Sequence, residues 1–541
     1  MGASNYIFSR DEFLDFIVYE LYPRSFLDSN GDGIGDLNGI FEKLDYLQEL
    51  GVNAVWLCPI YKSPNKDNGY DVADYREIAK EFGSFADFKR LRDGLHARGM
   101  KLIMDLVFNH TSSEHTWFQQ AKTDRNNPYH DYYIWADTPP NDWKSCFGGS
   151  AWEYNEATKE YYLHSFAIEQ PDLNWENPSV RKECQKIVDF WMQQGVDGFR
   201  CDVLDFISKD FKTGKMYGGP HLHEYIQALF GRRETEKLFT VGECQSSDKE
   251  MLLIAGKERK ELSTVFQFDH INLIGLNKYL PHAFTLEEVK NVLVKWQNFT
   301  QENDLIYTLF TDNHDQSYFL SKTGYGADYR YECATMLATM FYLLRGIPFL
   351  YQGQEYGAVN PVYSSIEDFR DVEAMRYYNE HKNTESSKQI VSALNQGGRD
   401  NARRPIAWTK NKANAHGFSQ GTPWIPLHSC AEEINLERDK HAEKSVWEFY
   451  RKLLALRKSS TVIRRGSFCD LTENRQGCFL YERALGEKKV IVICNFENRQ
   501  TLLLPNALQQ NTFRIILTNH ADTLPFSKDF RPFEIAVYES L

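Results

Sequence analysis

Residues 85–108, "FADFKRLRDGLHARGMKLIMDLVF", carry the reading on which the fold depends. Through "FADFKRLRDGLHARG" (85–99) apolar side chains return every three or four positions among charges, the period of an amphipathic helix. "KLIMDLVF" (101–108) is then almost continuously apolar. A strand with one wet face would alternate, so this run reads as a strand covered on both faces, as in a parallel sheet flanked by helices.

Working outward, the same pairing recurs along the chain. Short runs rich in β-branched and aromatic residues stand at "FIVYEL" (16–21), "NAVWL" (53–57), "VDGFRCDV" (196–203), "LFTVGE" (238–243), "TVFQFD" (264–269), "LIYTLF" (305–310) and "IPFLYQG" (347–353). Amphipathic stretches such as "LNGIFEKLDYLQEL", "VRKECQKIVDFWMQQG" and "LEEVKNVLVKWQN" separate them. Eight strands alternating with helices predict an α/β fold, the parallel (β/α)8 TIM barrel. Two segments break the rhythm. Residues 110–176 are irregular and aromatic and predict a subdomain inserted after the third strand. Beyond "SVWEFYRKLLALRKSS", the runs "GCFLYERAL", "KKVIVICNF", "TFRIILTN" and "FEIAVYES" predict a C-terminal antiparallel β domain, a β-sandwich. The expected organisation is barrel 1–109, insert 110–176, barrel 177–461 and β domain 462–541.

A net charge of −13 without a long basic run argues against nucleic acid and anionic membrane surfaces and favours a small neutral substrate. The ten cysteines show no CxxC and no metal-type spacing. The most apolar stretch, "MLATMFYLLRGIPFLY", is interrupted by Arg345 and is too short for a membrane span. "MGASNYIFSRDEF" has no apolar core of a signal peptide. These features predict a cytoplasmic, reduced protein with no membrane or nucleic-acid partner, a monomer or weak homo-oligomer.

In a barrel of this kind, acidic residues at the C-terminal strand ends are catalytic candidates. Three predicted strands end this way: Asp202 in "GFRCDV", Glu243 in "TVGEC" and Asp315 in "FTDNHD". Around them stand, in order, "GVNAVWLCPI", "NGYDVADY", "DLVFNH", "QPDLNW", "GIPFLYQGQEYG" and "RDNARRPIAW". As a set these motifs resemble the α-amylase family of glycoside hydrolases, in its oligo-1,6-glucosidase and dextran glucosidase branch, over nearly the whole chain.

The resemblance implies a retaining exo-α-glucosidase acting on small carbohydrates, with Asp202 as nucleophile, Glu243 as general acid/base and Asp315 as the stabilising third carboxylate. It implies that His110 and His314 bind hydroxyls of the first sugar, that Tyr70 stacks on it, and that Asp71 and Arg403 close the pocket behind it. Phe166 and Gln170 would line the cleft mouth. Arg200, two residues before the nucleophile and so on the same strand face, is placed to hold that carboxylate ionised. Val203 after the nucleophile points to α-1,6 linkages. Trehalose-6-phosphate hydrolase is the nearest rival, on "VGECQSS" and "ERKELSTVFQF"; sucrose isomerases and α-1,4-acting relatives share the catalytic set.

"DSNGDGIGD" (28–36) raises the possibility of a metal. An EF-hand fails, because its twelfth position, which needs a bidentate Glu, is Gly39. The family resemblance implies instead one structural Ca2+, or Mg2+ in a tighter cage, held by Asp28, Asn30, Asp32, Asp36 and the Ile34 carbonyl. No organic cofactor is expected.

Overall fold

The computed structural model describes residues 10–541 except 246, 257–260, 276, 506–507 and 509–511. The barrel expectation holds. Its strands are β1 (Val18–Leu21), β2 (Ala54–Leu57), β3 (Lys101–Val107), β4 (Gly198–Asp202), β5 (Phe239–Gly242), β6 (Thr264–Val265), β7 (Thr308–Leu309) and β8 (Ile347–Tyr351). All neighbours pair in parallel, in the order β6-β5-β4-β3-β2-β1-β8-β7.

β6 and β7 are shorter than the sequence suggests, two residues each. At this seam side chains take over the carbonyls that a ladder would use: Thr264 Oγ1 donates to the Ile306 carbonyl (2.8 Å) and Thr308 Oγ1 to that of Val265 (3.5 Å). The helix read from residues 85–99 is α1 (Phe85–Ala97), capped at Ser84 by a reciprocal Ser84–Asp87 capping box. It buries Phe88, Leu91 and Leu95, the stripe its period marks.

Between β3 and α2 (Pro178–Gln193) lies the insert, with strands Trp135–Ala136, Trp152–Asn155 and Glu160–Leu163, the last central. Trp143, Ala151, Trp152 and Leu163 form its own small core. Asp172 pins it to the barrel: it is fully buried, 3.0 Å from Lys209 Nζ, and accepts hydrogen bonds from Asn109 and Ser165.

The C-terminal sheet contains β9 (Ser467–Asp470), β10 (Cys478–Leu485), β11 (Lys488–Asn495), β12 (Phe513–Thr518) and β13 (Ile535–Ser540), in the order β9-β10-β11-β13-β12. Its faces separate with period two. Phe479, Tyr481, Val490, Val492, Ile535 and Val537 join the barrel's core, while Leu480, Ile491, Ile493, Ala536 and Tyr538 pack with Leu502, Leu508 and Phe530. Both faces are thus dry, which is why "VIVIC" does not alternate. The outer layer contains a two-stranded ribbon, Gln500–Thr501 with Asp529–Phe530. Among the described residues no helix is long and apolar enough to cross a membrane; the N-terminal residues 1–9, where a leader was judged absent, lie outside them.

Candidate active site

The three strand-end carboxylates meet at one mouth of the barrel, in a cleft of about 210 Å³ lined by Asp202, Glu243, Asp315, Tyr70, His110, Val203, Phe147 and Phe166 among others. β4 supplies Arg200 and Asp202 on one face, and the β3–β4 register sets Asp105 directly beside Arg200. Arg200 is buried, with Nη1 2.7 Å from Asp202 Oδ1 and 2.9 Å from Asp105 Oδ1, and Nη2 donating to Glu243 Oε2. One guanidinium therefore serves three carboxylates. Burial, with Glu243, Asp105 and Asp315 adding to it, pushes the Asp202 carboxyl above its usual range against the pull of Arg200. Arg200 does pull this pKa down, as expected, but burial and the neighbouring carboxylates outweigh it.

Val203 adopts φ +34°, ψ +49°, a left-handed conformation that costs a β-branched residue about 1 kcal/mol or more. The turn aims its N–H at Glu243 Oε2 (3.2 Å) and its side chain at the cleft.

Asp315 has cations on both oxygens. Oδ1 is 2.6 Å from Arg403 Nη2 and 3.3 Å from Arg399 Nη1; Oδ2 is 3.1 Å from His314 Nε2. Burial acts to raise its pKa, but His314, Arg403 and Arg399 hold it well below the carboxylate range. His110 is buried and driven down to about 4, hence neutral. Tyr70 donates its hydroxyl hydrogen to Asp105 (3.0 Å) and sits 2.6 Å from His314 Nε2.

Not every expected residue faces the cleft. Asp71 lies behind it, accepting from Ser63 Oγ and from the N–H groups of Lys66 and Asp67 at 2.9–3.0 Å, as the residue that closes a turn. The neighbouring Asp67 takes the cleft position, paired with Arg399 Nη2 at 2.8 Å. Arg403 is likewise set back; its Nε donates to the His314 carbonyl and its Nη2 orients Asp315. Gln170 is fully buried behind the wall rather than at the mouth, donating to Asp67 Oδ2 (3.1 Å). Phe166 does line the cleft, packed on His110 and Phe206. Sequence reasoning missed Asp105, Asp67 and Arg399, although all three stand inside or beside the quoted motifs. It also missed Lys278 and Glu373, a lining pair 2.6 Å apart.

A larger cavity, about 410 Å³, opens between the insert and the loop after β4, lined by Trp135, Trp175, Phe211 and Lys209 among others. It contains none of the strand-end carboxylates.

The 28–36 loop is wound on its own side chains. Asp28 accepts from the N–H groups of Asn30, Gly31 and Gly33 at 2.7–3.0 Å and from Ser419 Oγ. Asn30 and Asp32 accept from Asp32 and Ile34 N–H, each at 2.9 Å. Asp36 caps the following helix through Gly39 N–H (2.7 Å) and accepts from Ser29 N–H (2.9 Å). The donor set is all hard oxygen, as Ca2+ requires. Its three carboxylates do not converge within 4.8 Å of one another; among the described residues the group of Asp, Glu, His or Cys that does is Glu20, Cys58 and His314.

Against known proteins, residues 20–466 match the family model described as the alpha amylase catalytic domain. The chain is 43% identical to an oligo-1,6-glucosidase of Parageobacillus thermoglucosidasius, covering 97% of this chain and 98% of that one. It is 40% identical to an oligo-1,6-glucosidase of Bacillus cereus, covering 97% and 98%. A crystal structure of Bacillus licheniformis trehalose-6-phosphate hydrolase superposes with a TM-score of 0.91 at 37% identity, covering 98% of this chain and 99% of that one.

Proposed function

The chain belongs to the α-amylase family of glycoside hydrolases, and from that premise we propose that it is a retaining exo-α-glucosidase cleaving α-1,6-glucosidic bonds at the non-reducing end of isomalto-oligosaccharides or dextran. One observation carries this reading: Asp202 and Glu243 share the guanidinium of Arg200 in a cleft that the Asp67–Arg399 pair also lines. Carboxyls on adjacent nitrogens of one guanidinium are held close, in keeping with the ~5–5.5 Å separation of retaining enzymes rather than the ~6.5–9.5 Å that leaves room for an inverting water. Asp202 attacks the anomeric carbon while Glu243 gives its proton to the leaving oxygen. The glucosyl–Asp202 ester then falls to a water that Glu243 deprotonates. Asp315, kept ionised by three cations, stabilises the cationic transition state.

The Asp67–Arg399 pair, in place of Asp71 and Arg403, is suited to ending the pocket behind one sugar, which makes cleavage exo. Val203 beside the nucleophile favours α-1,6 bonds. The trehalose 6-phosphate reading needs an unpaired cation for the phosphate. The cations that line the cleft among the described residues are already paired, Lys278 with Glu373 and Arg399 with Asp67, Asp371 and Asp315. Residues 257–260, from the stretch that suggested this rival, lie outside the described residues. All ten cysteines are free, which suits a reducing cytoplasm.

The deciding experiment is a panel of isomaltose, isomaltotriose, dextran, maltose, trehalose and trehalose 6-phosphate, following glucose and its anomeric form. The expected result is α-glucose released first, from the α-1,6 substrates. Preferential hydrolysis of trehalose 6-phosphate, or β-glucose as first product, would overturn the reading.

The raised Asp202 carboxyl sets the pH dependence. The nucleophile must be ionised, so activity falls as pH drops through its elevated pKa. The acid limb of kcat/KM is expected above the ~3.9 of an ordinary Asp. An acid limb at or below the ordinary value would mean that Arg200 outweighs burial.

We propose separately that the 28–36 loop takes one Ca2+. Asp28, Asn30, Asp32, Asp36 and the Ile34 carbonyl would hold it, with Asp28 and Asp36 exchanging N–H partners for the ion. Added CaCl2 should raise Tm by a few degrees over chelator-treated protein (~1–3 kcal/mol of linkage). Equal Tm values would leave a loop closed by hydrogen bonds alone.

A further inference from the structure

Directly beneath the carboxylate set lies a buried carboxyl group that this mechanism does not use. Glu20, in β1, is 1% exposed. Its Oε1 stands 2.6 Å from His314 Nδ1 and accepts the His314 backbone N–H at 3.1 Å. Across the ring, Nε2 lies 3.1 Å from Asp315 Oδ2 and 2.6 Å from the Tyr70 hydroxyl. Tyr70 spends its own hydrogen on Asp105, so it faces His314 as an acceptor. Burial raises the Glu20 carboxyl and its contacts with His314 pull it back down; as carboxylates, Glu20 and Asp315 only accept, and both ring nitrogens then carry hydrogen.

We propose that Glu20 is a positioning residue that holds His314 as an imidazolium through Nδ1, so that its Nε2–H fixes the charged Asp315 in the cleft. The surroundings suit this. Tyr22 and Tyr70 lie nearly parallel to the ring, Trp56 meets it edge-on, and Arg403 Nε donates to the His314 carbonyl at 2.8 Å. Arg200 and Asp105 lie beyond Tyr70, and the Cys58 thiol stands 4.0 Å from Glu20. Burial opposes charge on the ring, yet Asp315 and, after it, Cys58 hold His314 well above the ordinary histidine value. Glu20, Cys58 and His314 also form the donor cluster within 4.8 Å. A soft cation would need lone pairs that the protonated ring and a thiol pushed up to about 11 do not offer. The cluster holds protons instead.

The activity arm of the test rests on the glucosidase reading; the spectroscopic arm does not. Glu20→Gln keeps the shape and the acceptor for Nδ1–H and removes only the charge. On 4-nitrophenyl α-glucoside the ratio of wild-type to Glu20→Gln kcat/KM should be below about threefold at pH ~5.5 and above about tenfold at pH ~8.5, carried by kcat, as His314 loses its proton in the variant. In protein labelled with 13C at histidine Cε1, with the peak assigned by its loss in His314→Asn, the wild-type His314 should titrate well above the ordinary histidine value and shift down by at least about one unit in Glu20→Gln. Parallel pH profiles, or a wild-type His314 titrating near the ordinary 6.5, would overturn the proposal. A wild type that cleaves no α-glucoside would overturn the activity reading instead, and the NMR arm would still decide the role of Glu20.

Discussion

Asp202→Asn should lower kcat on isomaltose by at least about 10⁴-fold, the scale seen when a covalent nucleophile is removed. The amide is nearly isosteric and can still accept from Arg200 Nη1, now 2.7 Å from Asp202 Oδ1. The barrel should therefore fold as before, and Tm should not fall. Tm has reason to rise, because one guanidinium now serves three carboxylates, two of them buried, and the variant relieves that crowding. Activity and stability move in opposite directions, a signature that a merely structural Asp202 would not give. Residual kcat within about tenfold of wild type would remove Asp202 from the nucleophile role.

The largest expected stability effect lies far from the cleft, at Arg483 in β10. This side chain is fully buried, and among the described residues no carboxylate is paired with it. Its Nη1 donates to the carbonyls of Leu343 (2.9 Å) and Ile463 (2.6 Å), its Nη2 to Gly466 and its Nε to Ser467 (3.1 Å). The first of these lies just before β8 and the others lead into the C-terminal sheet, so one side chain joins barrel and β domain. Burial, with Arg345 nearby, lowers its pKa to about 9, so the charge is held at a cost that the four carbonyl dipoles offset. Arg483→Ala leaves those carbonyls and a cavity behind, for an expected loss of roughly 3–5 kcal/mol. Thermal unfolding should begin roughly 5 °C lower, with kcat of the folded protein unchanged. A loss under about 1 kcal/mol would mean that water or a repacked neighbour satisfies the carbonyls.

Legibility differed by element. α1 and β3 could be read from periodicity because both bury a continuous face, and that burial dictates which positions are apolar. β6 and β7 were overread: "TVFQFD" and "LIYTLF" are apolar beyond the strands because the loops after them are also buried, with Phe266 4% and Phe310 1% exposed. In the site, the motifs led to the right loops but not always to the right side chain. "DNGYD" contains two aspartates and "RDNARR" three arginines; which member faces the cleft depends on how each turn is wound. Ser63 Oγ and two backbone N–H groups claim Asp71, and that leaves Asp67 for Arg399.

The sequence by itself determined the barrel, the insert, the β domain and the three strand-end carboxylates, because hydrophobic period and strand ends are local properties. Only the tertiary structure decided the charges. Asp105, Asp202 and Glu243 come from three strands or their ends, and Glu20 comes from β1 while His314 and Asp315 follow β7, two strands round the barrel. Each group's proton affinity depends on distances of a few ångströms, between residues up to 295 positions apart for Glu20 and Asp315 (315 − 20). Electrostatics acts through space, and only closing the barrel puts one guanidinium among three carboxylates and one imidazole between two.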